Sequence, residues 1–213
     1  MRSGTKVVLV ALVAGIAGAV VGVLSNPGGI APFARTDLGQ RLLQGALAST
    51  APAPPPGLAV AKRGQPIPAL QLRALDGELV PLPARFAGRP VLINLWASWC
   101  GPCIREMPEL QRFAAEQGAN GVQVVGIALD DAAAVRSFLE RVPVGYPILL
   151  DVPGPADAGV SLGNPKGELP YSVLVAADGR LLKQRIGPFA AGEISAWAKP
   201  VGAAQEIPAP ARD

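Results

Sequence analysis

Apolar and polar positions divide this chain into three stretches. Residues 7–24 form an uncharged apolar run, residues 25–63 show no core-forming period, and from residue 64 short apolar runs alternate with helix-period segments. Val91-Leu92-Ile93-Asn94-Leu95-Trp96 and residues 122–129 are nearly continuous apolar runs, the pattern of strands covered on both faces. Residues 69–74 and 78–81 flank Asp76-Gly77, and residues 172–176 and 180–186 flank Asp178-Gly179; each arrangement predicts a β-hairpin. Helices are expected from Cys100 to about Gln117, then up to Leu139 with Asp130 or Asp131 as cap, and finally over residues 190–199. A short strand fits residues 147–150. Residues 151–168 show no clear regular element beyond a helical fragment at Asp157-Ala158-Gly159-Val160. A long irregular connection in a compact domain is more often functional than idle, and this one is expected beside the cysteines, where it helps choose the partner. A βαβ core followed by a ββα unit predicts an α/β fold, a mixed central sheet flanked by helices, with an extra hairpin at its start.

The amino-terminal run has its own reading. Arg2 and Lys6 lie in residues 1–6, ahead of it, and no basic residue follows at once. As a helix, residues 7–24 would extend about 27 Å, close to the hydrocarbon thickness of a bilayer. The flanking charges place residues 1–6 in the cytoplasm and the remainder outside it. A cleaved signal peptide is the alternative, with Val23 and Ser25 small enough for a cleavage site before Asn26. Ala14, Gly18 and Gly22 recur at a spacing that lets two such helices pack together. Residues 25–63 then read as a tether: Thr36 caps a short helix over residues 37–43, and Ala51-Pro52-Ala53-Pro54-Pro55-Pro56-Gly57 is extended and semi-rigid. The short helix could instead be a docking element. Residues 64–200 form the domain and residues 201–213 a tail.

Composition narrows the chemistry. The 213-residue chain contains two cysteines and no histidine, and its net charge is +3. Without histidine there is no Ser-His-Asp or Cys-His catalysis, no haem attachment and no ordinary zinc site. With charged residues at 16% and no basic run interleaved with aromatics, nucleic-acid binding is excluded. No metal and no cofactor is expected.

Both cysteines stand in Trp99-Cys100-Gly101-Pro102-Cys103, directly after an apolar strand and ahead of a helix. Two thiols at this spacing interconvert between a small-ring disulfide and a dithiol, a two-electron exchange. Cys100 would sit where unpaired N–H groups and the helix dipole stabilise a thiolate, lowering its pKa from about 8.5 towards 7. It is the candidate nucleophile. Cys103, within the first turn and deeper, is the candidate resolving thiol. Gly101 permits the tight turn, and Pro102 lacks an N–H that would be idle there. A structural disulfide is the alternative, although so short a loop restricts little unfolded-chain entropy. Trp99 is placed to shield the sulfurs, Pro108 interrupts the helix that follows, and Leu169-Pro170 precedes a strand.

Residues 91–103 together with Pro108 resemble the active-site strand, motif and kinked helix of the thioredoxin superfamily. Leu169-Pro170 resembles the cis-proline loop of that fold, and Gly187 falls where the fold places a glycine before its last helix. The anchor, the extra hairpin and the long segment before Pro170 resemble the TlpA-like branch of periplasmic thiol-disulfide oxidoreductases. The resemblance implies a thioredoxin-like fold over residues 64–200, a cis Pro170, and substrate contacts from Trp99, Gly101, Pro102, Leu169 and Pro170. Where thioredoxins carry a buried aspartate this chain has Asn94, which cannot accept a proton from Cys103. Glu106 matches a glutamate that the TlpA-like branch places near its cysteines, and if buried it could move that proton. If solvated it is an ordinary helix carboxylate.

The function these expectations describe is a membrane-tethered protein disulfide reductase in the periplasm or outside the cell. By resemblance, it would be recharged by a membrane electron transporter of the DsbD or CcdA type and act on apocytochrome c or copper-site assembly proteins. The Gly-Pro pair between the cysteines favours a potential near −270 mV, roughly that of thioredoxin, over an oxidant's value near −120 mV. Alternatives are a disulfide oxidase or isomerase, or a tethered chaperone that holds partners or Cu(I) through two thiolates.

Overall fold

The structure is a computed structural model describing residues 31–118 and 120–199. The chain divides into two units, Met1–Ala46 and Leu47–Asp213. The apolar run at residues 7–24 and the tail at residues 201–213 lie outside the described residues. Among the described residues no helix is long and apolar enough to cross a membrane.

The described part of the first unit is helical. α1 is Ala31–Ala34 and α2 is Asp37–Ser49, which runs on into the second unit. Thr36 caps α2 as expected, its Oγ1 accepting the Gly39 N–H at 3.0 Å. The helix is longer than the 37–43 expected. Gln44, Ala46, Leu47 and Ala48 are good helix formers and carry it through Gly45.

In the second unit a hairpin, β1 Leu70–Ala74 and β2 Leu79–Leu82, comes first. β3 Val91–Trp96, α3 Gly101–Glu116 and β4 Gln123–Leu129 make the βαβ core. α4 Ala132–Arg141, β5 Ile148–Asp151 and α5 Ala158–Ser161 follow. β6 Tyr171–Val175, β7 Leu181–Ile186 and α6 Glu193–Trp197 close the chain. The seven strands form one sheet in the order β2-β1-β5-β4-β3-β6-β7. β3, β4 and β5 are parallel, whereas β1, β6 and β7 join antiparallel to their neighbours. This is the mixed sheet that the order of elements predicts, with the extra hairpin added at its β5 edge. Both hairpin turns rest on a glycine with positive φ, Gly77 at 92° and Gly179 at 87°, a conformation that a side chain would resist.

Every residue of β3 is buried, and its alternation feeds two cores. Val91, Ile93 and Leu95 face one side with Val125, Ile127, Val173, Ala158 and Leu162. Leu92 and Trp96 face the other, against Met107, Leu110 and Phe113 of α3, Val135 and Phe138 of α4 and Ile194 of α6. Burying each of the large α3 side chains contributes about 1.5–3 kcal/mol. Ala61 already belongs to the first core and donates its N–H to the Ser161 carbonyl at 2.8 Å.

Three details depart from the pattern read along the chain. Asp131 alone caps α4, accepting the N–H groups of Ala133 and Ala134, while Asp130 serves elsewhere. The last helix is confined to Glu193–Trp197, because Gly192 adopts φ 75° and the Ala190 N–H is taken by the Glu193 carboxylate. Residues 151–168 do contain the expected helical fragment, capped by Asp157, but its buried Ala158 and Leu162 pack on the sheet face opposite Cys103. The bulk of that segment therefore covers the back of the sheet, and only its end turns toward the cysteines. That end is braced by buried Asn164, whose amide donates to the Glu168 carbonyl at 2.8 Å and whose Oδ1 accepts the Glu168 N–H at 3.1 Å.

Candidate active site

β3 ends at Trp96, and the next four residues are held in a fixed turn. Asp130 Oδ2 accepts both the Ser98 N–H at 2.8 Å and the Ser98 hydroxyl at 2.6 Å. Against the upward push of partial burial, these bonds and the Asp131 N–H hold the Asp130 carboxyl below the usual aspartate range. The Cys100 N–H then donates to the Ala97 carbonyl at 3.1 Å.

Cys100 is the N-cap of α3, in extended conformation, with Pro102 in the first turn. Its Sγ accepts the Cys103 N–H at 3.3 Å, a donor that the helix itself leaves unused. Cys100 and Cys103 are joined in a disulfide with Cα atoms 5.3 Å apart, so the structure shows the oxidised form. Cys103 is fully buried and Cys100 nearly so, both within the core of α3. The shielding expected of Trp99 takes a different form. Its side chain is 70% exposed and presented to solvent, and Cys100 is covered by the core instead. Gly101 opens the helix. Pro108 lies inside it, where it has no N–H to give to the Ile104 carbonyl.

The Leu169–Pro170 peptide is cis. Pro170 is buried, and Leu169 packs against both cores, including the one that holds the cysteines. The Pro170 carbonyl accepts the Gly187 N–H at 2.9 Å, which ties this loop to the turn before α6. A second cis peptide, Leu82–Pro83, lies at the end of the hairpin.

Glu106 sits one turn beyond Cys103 and is 2% exposed. The alternative of a solvated helix carboxylate does not hold. Oε1 accepts the Asn94 side-chain amide at 2.8 Å, and Oε2 accepts the Phe189 N–H at 2.9 Å. Asn94, 1% exposed, also donates to Ser172 Oγ at 3.0 Å, its register partner on β6. Burial pushes the Glu106 carboxyl up to about 7, and the bonds from Phe189 and Asn94 and the charge of Arg185 only partly offset it. A carboxyl with that midpoint exchanges a proton readily at neutral pH. Burial also raises the Tyr146 hydroxyl well above its ordinary value, and the charge of Glu106 adds to the effect.

The strand, motif helix and cis-proline loop thus bring Cys100, Cys103 and Leu169 to one core, with buried Glu106 on the motif helix and buried Pro170 next to Leu169. Asn94 was singled out in the sequence for the proton it cannot take; the structure gives it the work of holding Glu106. Ser172, Phe189 and Arg185 carry no signal of their own in the sequence, and Asp130 reads there only as a candidate helix cap. The two-residue period of β3 puts Asn94 on the face of Leu92 and Trp96, toward α3, and that was the available clue. Among the described residues no group of three or more His, Cys, Asp and Glu side chains is placed to hold a metal ion.

Fold and site together define a thiol-disulfide oxidoreductase on a thioredoxin-like scaffold. The Redoxin family model matches residues 62–199, and the chain belongs to that family. It is 29% identical to the sporulation thiol-disulfide oxidoreductase A of Bacillus subtilis (strain 168) over 148 residues, 67% of this chain and 86% of that one. It is 27% identical to the thiol-disulfide oxidoreductase ResA of Bacillus thuringiensis (strain Al Hakam) over 139 residues, 65% of this chain and 78% of that one. A crystal structure from Chlorobium tepidum, described as a DsbE thiol:disulfide interchange protein, superposes with a TM-score of 0.55. Its sequence identity is 28%, and the match covers 64% of this chain and 94% of that one.

Proposed function

We propose that this oxidoreductase works as a reductase, tethered by residues 7–24 to the outer side of a bacterial cytoplasmic membrane. In the dithiol form the Cys100 thiolate attacks a disulfide of a protein substrate. One substrate sulfur leaves as a thiol, and a mixed disulfide joins Cys100 to the other. Cys103 then gives its proton to Glu106 and attacks Cys100, which releases the second substrate thiol and leaves the Cys100–Cys103 disulfide. Two electrons have passed to the substrate. Trp99, Gly101 and Pro102 border the attacking sulfur, and Leu169 beside cis Pro170 would pair its backbone with an extended substrate segment.

The observation that supports this reading is the buried Glu106 carboxyl, one turn beyond the buried Cys103 and pushed up to about 7 by that burial. A buried thiol must lose its proton to a group that exchanges at working pH. Regeneration of the dithiol calls for a membrane electron transporter of the DsbD or CcdA type. Apocytochrome c or copper-site assembly proteins are the clients that the resemblance to the TlpA-like branch suggests.

The deciding measurement is the equilibrium reduction potential of the full chain in detergent, read from Trp fluorescence in dithiol buffers. A value at or below about −250 mV supports the reductase. A value above about −180 mV makes the protein an oxidant or isomerase instead. Absence of a reversible transition would leave only the tethered binding module.

A further inference from the structure

Arg185 is a charged residue of β7 that is only 2% exposed, and nothing in the disulfide cycle described above uses it. Its two terminal nitrogens are engaged, while Nε is buried without a hydrogen-bond partner. Nη1 donates to Glu193 Oε1 at 2.8 Å, and Nη2 donates to Glu193 Oε2 at 3.1 Å and to the Pro188 carbonyl at 2.9 Å. The Arg185 side chain also stacks on Phe189, with Cζ 4.6 Å from the ring centroid. Glu193 Oε2 in turn accepts the Ala190 N–H at 2.8 Å. Residues 188–190 are therefore gripped from one side by a single Arg–Glu pair. The middle residue of that turn, Phe189, gives its own N–H to Glu106.

A buried ion pair of this kind is costly to desolvate and is weak evidence for stability on its own. Its placement gives it a different use. We propose that Arg185 is a positioning residue of the disulfide cycle, holding the Phe189 amide on Glu106 and setting a positive charge behind that carboxylate, with Glu193 as the counter-charge that limits its field. This rests on the reading of Glu106 as the proton acceptor of Cys103.

The groups that face Glu106 are few. Cys103 and Cys100 stand on its own helix, as does Glu109, which is occupied by Arg112 and the Gly192 N–H. Tyr146, from the segment before β5, and Arg185, from β7, interact with it electrostatically, and Glu193, at the start of α6, pairs with Arg185. Asn94 and Ser172 complete the surroundings and are neutral. Among the described residues Arg185 is the one cation whose charge acts on Glu106. Its removal and the removal of its counter-charge should consequently act on Glu106 in opposite directions, which a merely structural pair would not do.

The test is the titration of the Glu106 carboxyl carbon by NMR in the oxidised full chain, with the resonance assigned through Glu106→Gln. Arg185→Gln should raise the midpoint by at least about half a pH unit, because an opposite charge is lost. Glu193→Gln keeps Arg185 and should lower the midpoint, because the cation is no longer offset. The double variant should fall between the two. If Arg185→Gln does not fold, the downward shift in Glu193→Gln still decides. Midpoints that stay put, or that move the same way in both variants, overturn the proposal. The reading of Glu106 is tested separately: the rate at which Cys103 resolves a preformed mixed disulfide should lose its inflection near pH 7 in Glu106→Gln. If that inflection persists, the acceptor role fails, even where the Arg185 and Glu193 shifts are seen.

Discussion

The side-chain amide of Asn94 donates to Glu106 at 2.8 Å and to Ser172 at 3.0 Å, so one buried group on β3 links the motif helix to the strand beside it. The amide stabilises the ionised carboxyl of Glu106. Without it the carboxyl would titrate above about 7. Asn94→Leu should move the inflection of the mixed-disulfide resolution rate upward by about one pH unit. It should also cost about 1–3 kcal/mol, since Glu106 and Ser172 lose a partner in a dry core. A rate profile unchanged in Asn94→Leu would separate Asn94 from the chemistry.

The raised midpoint of Glu106 has a consequence for stability. Its folded value, about 7, lies above the ordinary 4.5, so the folded chain binds more protons than the unfolded chain between those values. Stability is then full below about pH 4.5 and falls as pH rises through about 7. At about 1.4 kcal/mol per pH unit this amounts to about 3 kcal/mol. Glu106→Gln carries no such dependence. Denaturant unfolding of the oxidised chain should show Glu106→Gln gaining on the parent by about 2–3 kcal/mol between pH 4 and pH 8. Parallel curves would mean that Glu106 ionises as an ordinary carboxylate.

Cys100 keeps a slight exposure that Cys103 lacks, and the variants should differ accordingly. Cys103→Ser leaves Cys100 beside the exposed Trp99 and removes the resolving thiol. It should accumulate a mixed disulfide through Cys100, visible as a mass adduct that dithiothreitol removes. Cys100→Ser should form none, because the remaining Cys103 is fully buried. Equal adducts from both variants would contradict the assigned order of attack.

Asp130 anchors the motif turn through the N–H and hydroxyl of Ser98. Its carboxyl is held low, so the stabilisation is present above the ordinary aspartate range and disappears as pH falls through the lowered value. Asp130→Ala should cost about 1.5 kcal/mol at pH 7, the lower end for charged hydrogen bonds, because the site is partly open to water. That cost should shrink below about pH 4, as judged by urea unfolding of the two proteins side by side.

The parts of the fold written in local pattern were legible in the sequence. The apolar run at Val91–Trp96, the two Asp-Gly turns, the motif and the loop proline each depend on residues close together, and each was found within a residue or two. The last helix was read too long, because Ala190 and Ala191 look helical until Gly192 and the Glu193 carboxylate claim the turn. Residues 151–168 were expected at the cysteines, but the face a segment covers depends on packing and not on its own composition. The surroundings of Glu106 were hidden for the same reason. Phe189 and Glu106 are 83 positions apart, and only the closure of the sheet makes them neighbours. The amino-terminal run lies outside the described residues.

Asn164 spans Glu168 with both faces of its amide, one to the carbonyl and one to the N–H, much as a neighbouring strand would. Glu168 leads directly into Leu169 and cis Pro170. The bridge therefore closes off Pro165-Lys166-Gly167 as a separate bow, with Lys166 and Gly167 at the surface. Reversing the charge of Lys166 would change what the protein shows to its surroundings, with the Asn164–Glu168 bridge standing between that change and cis Pro170.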